Sequence, residues 1–127
     1  MNEILVEMAA KLDGIRLLVV TDSDCMVLAS WEAPDNQVSP DSLGQFVLQI
    51  RNTILSFKQP ANGVSKLEDI VLGTSQSYMM IKPICNGSCF LVADSPRSVS
   101  LGAVRATFDS FVVRLEQDIP GYEPIPT

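Results

Sequence analysis

Histidine is absent from the chain's 127 residues, and with it the commonest general base and side-chain metal ligand. Ser–His and Cys–His nucleophile pairs are thereby excluded. The GxxxxGK[ST] and GxGxxG loops that cradle phosphates are also missing. No apolar run approaches the roughly 18 residues of a membrane-spanning helix, and Met1 to Leu12 is acidic where a signal peptide would be basic. The expected setting is therefore cytoplasmic, without direct membrane insertion. Basic clusters are missing as well, and the formal charge is −6. Nucleic acid and anionic lipid, which both need a concentrated Lys/Arg face, are poor partners for such a chain.

Three cysteines are too few for a disulfide framework. Cys85 and Cys89 flank Asn86-Gly87. A two-residue loop would put their side chains on opposite sheet faces and a three-residue loop on the same face, so a bridge depends on register. The expected state is reduced and buried. The close carboxylate pairs, Asp22 with Asp24 and Glu68 with Asp69, each sit beside a turn, where Asp ordinarily caps backbone groups. Asp22-Ser23-Asp24 looks like the start of a calcium loop but lacks the later glycine and glutamate. No catalytic residue, metal or cofactor is expected.

What is present is a globular composition, 46% hydrophobic and 19% charged, of a length suited to one core. We place a single domain over 1–119 and an extended or disordered proline-rich tail over 120–127. Ser39 to Lys58, SPDSLGQFVLQIRNTILSFK, is the longest well-started helix. Ser39 suits the N-cap, Pro40 the first helical position, and Asp41 the positive end of the dipole. Leu43, Phe46, Val47, Ile50, Ile54 and Phe57 form one apolar stripe, expected to pack on the core. A second stripe, a quarter turn away, holds Gly44, Leu48, Arg51 and Leu55. Either a loop of the same chain covers it, or it meets another helix, with Gly44 allowing close approach.

The remaining segments fall in order. Asn2 to Leu12 reads as a short amphipathic helix ended by Asp13-Gly14. Ile15 to Thr21 is a strand covered on both faces, and Met26 to Ser30 returns beside it. Trp31 falls in the loop that follows, as a lid on the core edge or an exposed anchor for a partner. Ile70 to Ser75, Tyr78 to Ile84 and Ser88 to Asp94 form a meander, and Ser98 or Ser100 caps a last helix to about Asp118. Strand three contains no proline, so at a sheet edge it would offer Ile70, Val71, Leu72, Gly73 and Thr74 to another chain. Strands one and five, the most apolar, should be central. The predicted class is an α/β (α+β) sandwich: a five-stranded antiparallel sheet with helices on both faces, in the order α-β-β-α-β-β-β-α. Tyr78, Met79 and Met80 read as core or as the lining of a small pocket, and Arg97 and Arg105 as a solvated face or a partner contact.

This order, together with Gly14-Ile15-Arg16-Leu17-Leu18-Val19-Val20-Thr21-Asp22, Met26-Val27-Leu28-Ala29-Ser30 and Ser100-Leu101-Gly102-Ala103-Val104-Arg105, resembles the roadblock/dynein light chain family, whose fold is profilin-like. The resemblance runs from about Glu3 to Glu116. The sequence departs from the pattern at Cys25, where the family's first turn usually has glycine. The resemblance implies no catalytic residues. It implies dimerisation, with a second copy or a roadblock-type paralogue, through the second helix and third strand. Gly44, Leu48, Arg51, Leu55 and Ile70 to Thr74 occupy those positions. It also implies a scaffold for a small Ras-like or Rag GTPase, most like the Ragulator roadblock subunits at the late endosomal and lysosomal surface. A dynein-type light chain is the neighbouring possibility. A PAS- or profilin-like small-molecule sensor, with ligand near Tyr78 and Met80, is the alternative from another class.

Overall fold

A computed structural model describes residues 1–58 and 67–122, with only the backbone of 54–58. The elements are α1 (Asn2–Lys11), β1 (Leu17–Thr21), β2 (Val27–Glu32), α2 (Pro40–Lys58), β3 (Ile70–Gly73), β4 (Ser77–Ile84), β5 (Cys89–Pro96) and α3 (Leu101–Asp118). Among the described residues the strands form one antiparallel sheet in the order β2-β1-β5-β4-β3. The apolar strands β1 and β5 are central, as their sequences predict, because residues apolar at successive positions need cover on both faces. All five residues of β1 are buried.

Alternation along the strands divides the interior in two. Leu18, Val20, Leu91, Ala93 and Met80 point to a core closed by α1 and α3, with Leu5, Met8, Val104, Phe108, Phe111 and Leu115 above them. Leu17, Val19, Ile81, Phe90 and Val92 point the other way, to Leu43 and Val47 of α2. Local signals fix the helix starts. The Ser100 hydroxyl accepts from the Ala103 N–H at 3.1 Å and caps α3, while Ser39 Oγ is 3.5 Å from the Ser42 N–H that donates to it. In the β1–β2 turn the Asp22 carboxylate accepts from the N–H groups of Asp24 (2.9 Å) and Met26 (3.0 Å), which occupies it as a turn cap. Cys25 takes φ +60° there. It adopts the left-handed conformation for which glycine is the usual residue.

Several boundaries differ from expectation. Trp31 lies within β2, opposite Leu18, half-buried against the α1/α3 core, because β2 continues to Glu32 to pair with Leu17. β5 continues to Pro96, opposite Ser77. Ile84 pairs with Cys89, so the connection is Cys85–Ser88, longer than either loop considered from sequence. Cys85 sits in it at φ +53° and Asn86 at φ +58°. All three thiols are free and buried. Tyr122 is half-buried against the core after a turn in which its N–H donates to the Ile119 carbonyl. The connection 59–66 and the tail 123–127, on which sequence expectations also fell, lie outside the described residues. Among the described residues no helix is long and apolar enough to cross a membrane.

Candidate interaction surface

Helix α2 does not bury the stripe that its apolar residues suggest. With Leu43 at 0° and about 100° per residue, the buried positions Leu43, Gly44 and Val47 centre near 50°, which leaves Phe46 at about −60°. Phe46, expected in the core, is 39% exposed. The cause lies at Gly44, where a Cβ would sit 2.6 Å from the Cys25 carbonyl oxygen. Only glycine lets the helix approach the β1–β2 turn so closely. About two turns on, Arg51 Nη1 donates to the Ser23 carbonyl at 2.6 Å. Gly44 and Arg51, placed by sequence on a stripe facing another subunit, therefore contact their own chain's first turn. Leu48 is half-buried against the α2-side core. The side chain of Leu55 lies outside the described residues.

Because α2 packs over β1 and β2, the same face of β4 and β3 is less covered. Ile70 and Met79 there are half-buried, packed on the α2-side core. Leu72 pairs with Met79 and shares that face with Ile70 by strand alternation. Val71 and Gly73 point to the opposite face and are exposed, Val71 at 36%. Among the described residues β3 is an edge strand, hydrogen-bonded on one side by β4. The predicted residues Ile70, Val71, Leu72 and Gly73 thus lie together on a sheet edge that no other described strand pairs, while Thr74, expected on the same strand, falls in the following turn, where its N–H donates to the Ser77 carbonyl at 2.8 Å. Phe46 on α2 and Met79 on the sheet are open apolar side chains that a periodicity argument does not find, since how far each is covered depends on where Gly44 seats the helix.

On the other face α3 leaves two grooves along β3. One of about 650 Å³ runs between Leu67–Asp69 and Arg105–Asp109, and one of about 370 Å³ between Val71, Gly73 and Leu101. Tyr78 and Met80, considered as ligand-binding residues, form their floors as buried side chains, and the Tyr78 hydroxyl donates to the Val99 carbonyl at 2.8 Å. Arg97 and Arg105 are not simply solvated. Arg97 donates to the Thr74 carbonyl from Nε, at 2.8 Å, and from Nη2. Arg105 pairs with Asp69 at 3.3 Å. The titratable groups that burial shifts lie elsewhere. Burial pushes the Cys85 thiol up to about 12, with neighbouring Cys89 adding to the effect. Burial also raises the Asp94 carboxyl above its ordinary 3.8, partly offset by Arg16.

No protein-family model matches the sequence, and no curated protein does. Solved structures do. MglB in a tetrameric arrangement superposes with a TM-score of 0.79 at 19% identity, over 91% of this chain and 84% of that one. A roadblock/LC7 domain from Streptomyces avermitilis gives 0.78 at 10% identity, covering 92% and 95%. The chain has a roadblock-type fold. The gliding protein MglB from Thermus thermophilus gives 0.76 at 18% identity, covering 92% and 88%. At these identities the likeness is one of fold. That fold accounts for one five-stranded antiparallel sheet with helices on both faces.

Proposed function

We propose that this chain is a non-enzymatic scaffold subunit that pairs with a second roadblock-type subunit, a copy of itself or a paralogue, through α2 and β3. The joined surface then serves as a platform for a small Ras-like GTPase. The observation that carries this reading is the open edge of β3 beside half-covered apolar side chains on the same face, Ile70, Leu72 and Met79, with Phe46 on α2. Burying the part of Phe46 and of Leu72 that is still open contributes roughly 1 kcal/mol each, counted on both subunits, and edge pairing satisfies backbone groups that a monomer leaves to water. The tetrameric arrangement of MglB is consistent with a fold that assembles. The GTPase comes from the roadblock resemblance, and its narrower form is a Ragulator-like role at the late endosomal or lysosomal surface, reached through partners.

The test is sedimentation velocity at tens of micromolar, with Phe46→Asp combined with Leu72→Asp as the interface variant. A wild-type dimer and a monomeric variant of unchanged circular dichroism are expected. A wild type that stays monomeric, alone and with its co-purifying proteins, overturns the reading. Mass spectrometry of a native pull-down then identifies the client. GTPases support the platform, whereas dynein chains would move the assignment to a motor-associated light chain.

A further inference from the structure

Strand β3 is four residues long, and so short an edge strand is held weakly by its single ladder. Two arginines grip it at its ends. Just before Ile70, the Asp69 carboxylate accepts from Arg105 Nε at 3.3 Å. Just after Gly73, the Thr74 carbonyl accepts from Arg97 Nε and Nη2. The Arg97 backbone N–H donates to the Gln76 carbonyl at 3.3 Å, so this residue ties the β3–β4 turn twice. Its guanidinium also lies across the strand end, where a Cβ on Gly73 would stand 2.9 Å from Nη2. A planar fork can make this contact and an ammonium cannot. Both arginines come from the segment after β5, which the buried side chains of Val99, Val104 and Phe108 fix to the core.

We infer that Arg97 and Arg105 are positioning residues, which hold β3 in the geometry its outer edge needs to accept a strand from a second subunit. The inference rests on the pairing proposed above. Neither side chain touches the partner in this scheme. They act through Thr74 and Asp69, so that the edge is ordered before the encounter and less ordering entropy is lost on association.

The experiment measures amide hydrogen exchange across the β3–β4 ladder and the dimer dissociation constant in Arg97→Gln, Arg97→Lys, Arg105→Gln and the reversal Asp69→Arg/Arg105→Asp. Each glutamine variant is expected to speed β3 exchange and raise the dissociation constant about fivefold. Arg97→Lys should behave like Arg97→Gln, and the reversal should return both readouts to within about twofold of wild type. The melting temperature measured below the dissociation constant should stay unchanged, whereas a general structural role would lower it. Unchanged β3 exchange in the glutamine variants overturns the inference, and so does faster exchange with unaltered dimer affinity. If the wild type never dimerises, the pairing reading fails by itself, and the exchange measurements still decide whether the two arginines hold the strand.

Discussion

Replacing Gly44 with alanine tests the seating of α2 on the first hairpin turn. In a helix interior this substitution is ordinarily favourable by about 1 kcal/mol. Here the new Cβ would meet the Cys25 carbonyl oxygen at 2.6 Å. The obstacle is backbone in a turn already held by the Asp22 carboxylate, so no rotamer change relieves it. Overpacking of this kind costs about 1–3 kcal/mol, and an unyielding carbonyl places the cost near the upper end. The helix must lift, which also lengthens the Arg51–Ser23 contact of 2.6 Å. The net expectation is a loss of about 2 kcal/mol, or roughly 8 °C in melting temperature for a domain of this size. Urea unfolding at a concentration where the protein is monomeric measures it. Gly102→Ala on α3, where a Cβ meets only the Ser100 hydroxyl at 3.6 Å, is the control and should be neutral or stabilising by a few tenths of a kcal/mol. Refutation would be a Gly44→Ala monomer as stable as wild type with a weaker dimer. That result would put Gly44 at a subunit contact, as the helical pattern in the sequence suggests.

Two further outcomes follow from titratable groups that burial shifts. Burial raises Asp94 in the folded state, so the folded chain holds this proton more tightly than the unfolded chain. The contribution of Asp94 is then most favourable below its unfolded value and is lost as pH rises through the folded value. Asp94→Asn should therefore raise the urea midpoint at about pH 7 and leave it nearly unchanged at about pH 3, and a lower midpoint at neutral pH would contradict this. With Cys85 pushed up to about 12 and Cys25 also raised by burial, native thiols should resist an aromatic disulfide reagent at about pH 8 and all react in denaturant. Rapid stoichiometric labelling of the folded protein would show that these sites open.

The layers were legible in the sequence because they follow from period and punctuation. Leu17-Leu18-Val19-Val20 reads as a doubly covered strand whatever surrounds it, and the serines at 98 and 100 mark the start of α3 by local chemistry, the cap itself being Ser100. The division of labour around α2 was not legible. Leu43 and Phe46 differ by three positions and both read as apolar, yet one is buried and the other 39% exposed. The difference is set by one interatomic approach, Gly44 to Cys25, between residues far apart in sequence. Arg51 illustrates the same point, since nothing local announces that its acceptor is the Ser23 carbonyl. Sequence pattern gives the angular width of an apolar stripe more firmly than its centre, and here the centre moved far enough to exchange an inward and an outward residue.

That exchange bears on how the fold can serve association. A helix seated by Gly44 and Arg51 toward β1 and β2 turns Phe46 outward, and it leaves Ile70, Leu72 and Met79 half-covered at the far side of the sheet. If the close approach were lost, the helix would lift, changing how Phe46 stands on the α2 side of the sheet. If α2 and β3 pair as proposed, the stability of the first hairpin and the competence of the opposite edge are coupled through one helix. Destabilising substitutions at the β1–β2 turn should therefore weaken pairing even though the turn is on the far side of the subunit from β3. Cys25→Ala is the sharpest form of this test. It keeps a non-glycine residue at φ +60° but removes a buried thiol from the α2-side core, and it should raise the dimer dissociation constant several-fold while leaving the β3–β4 hydrogen-exchange pattern of the monomer unchanged. An unaltered dissociation constant would separate the hairpin from the interface and break the proposed coupling.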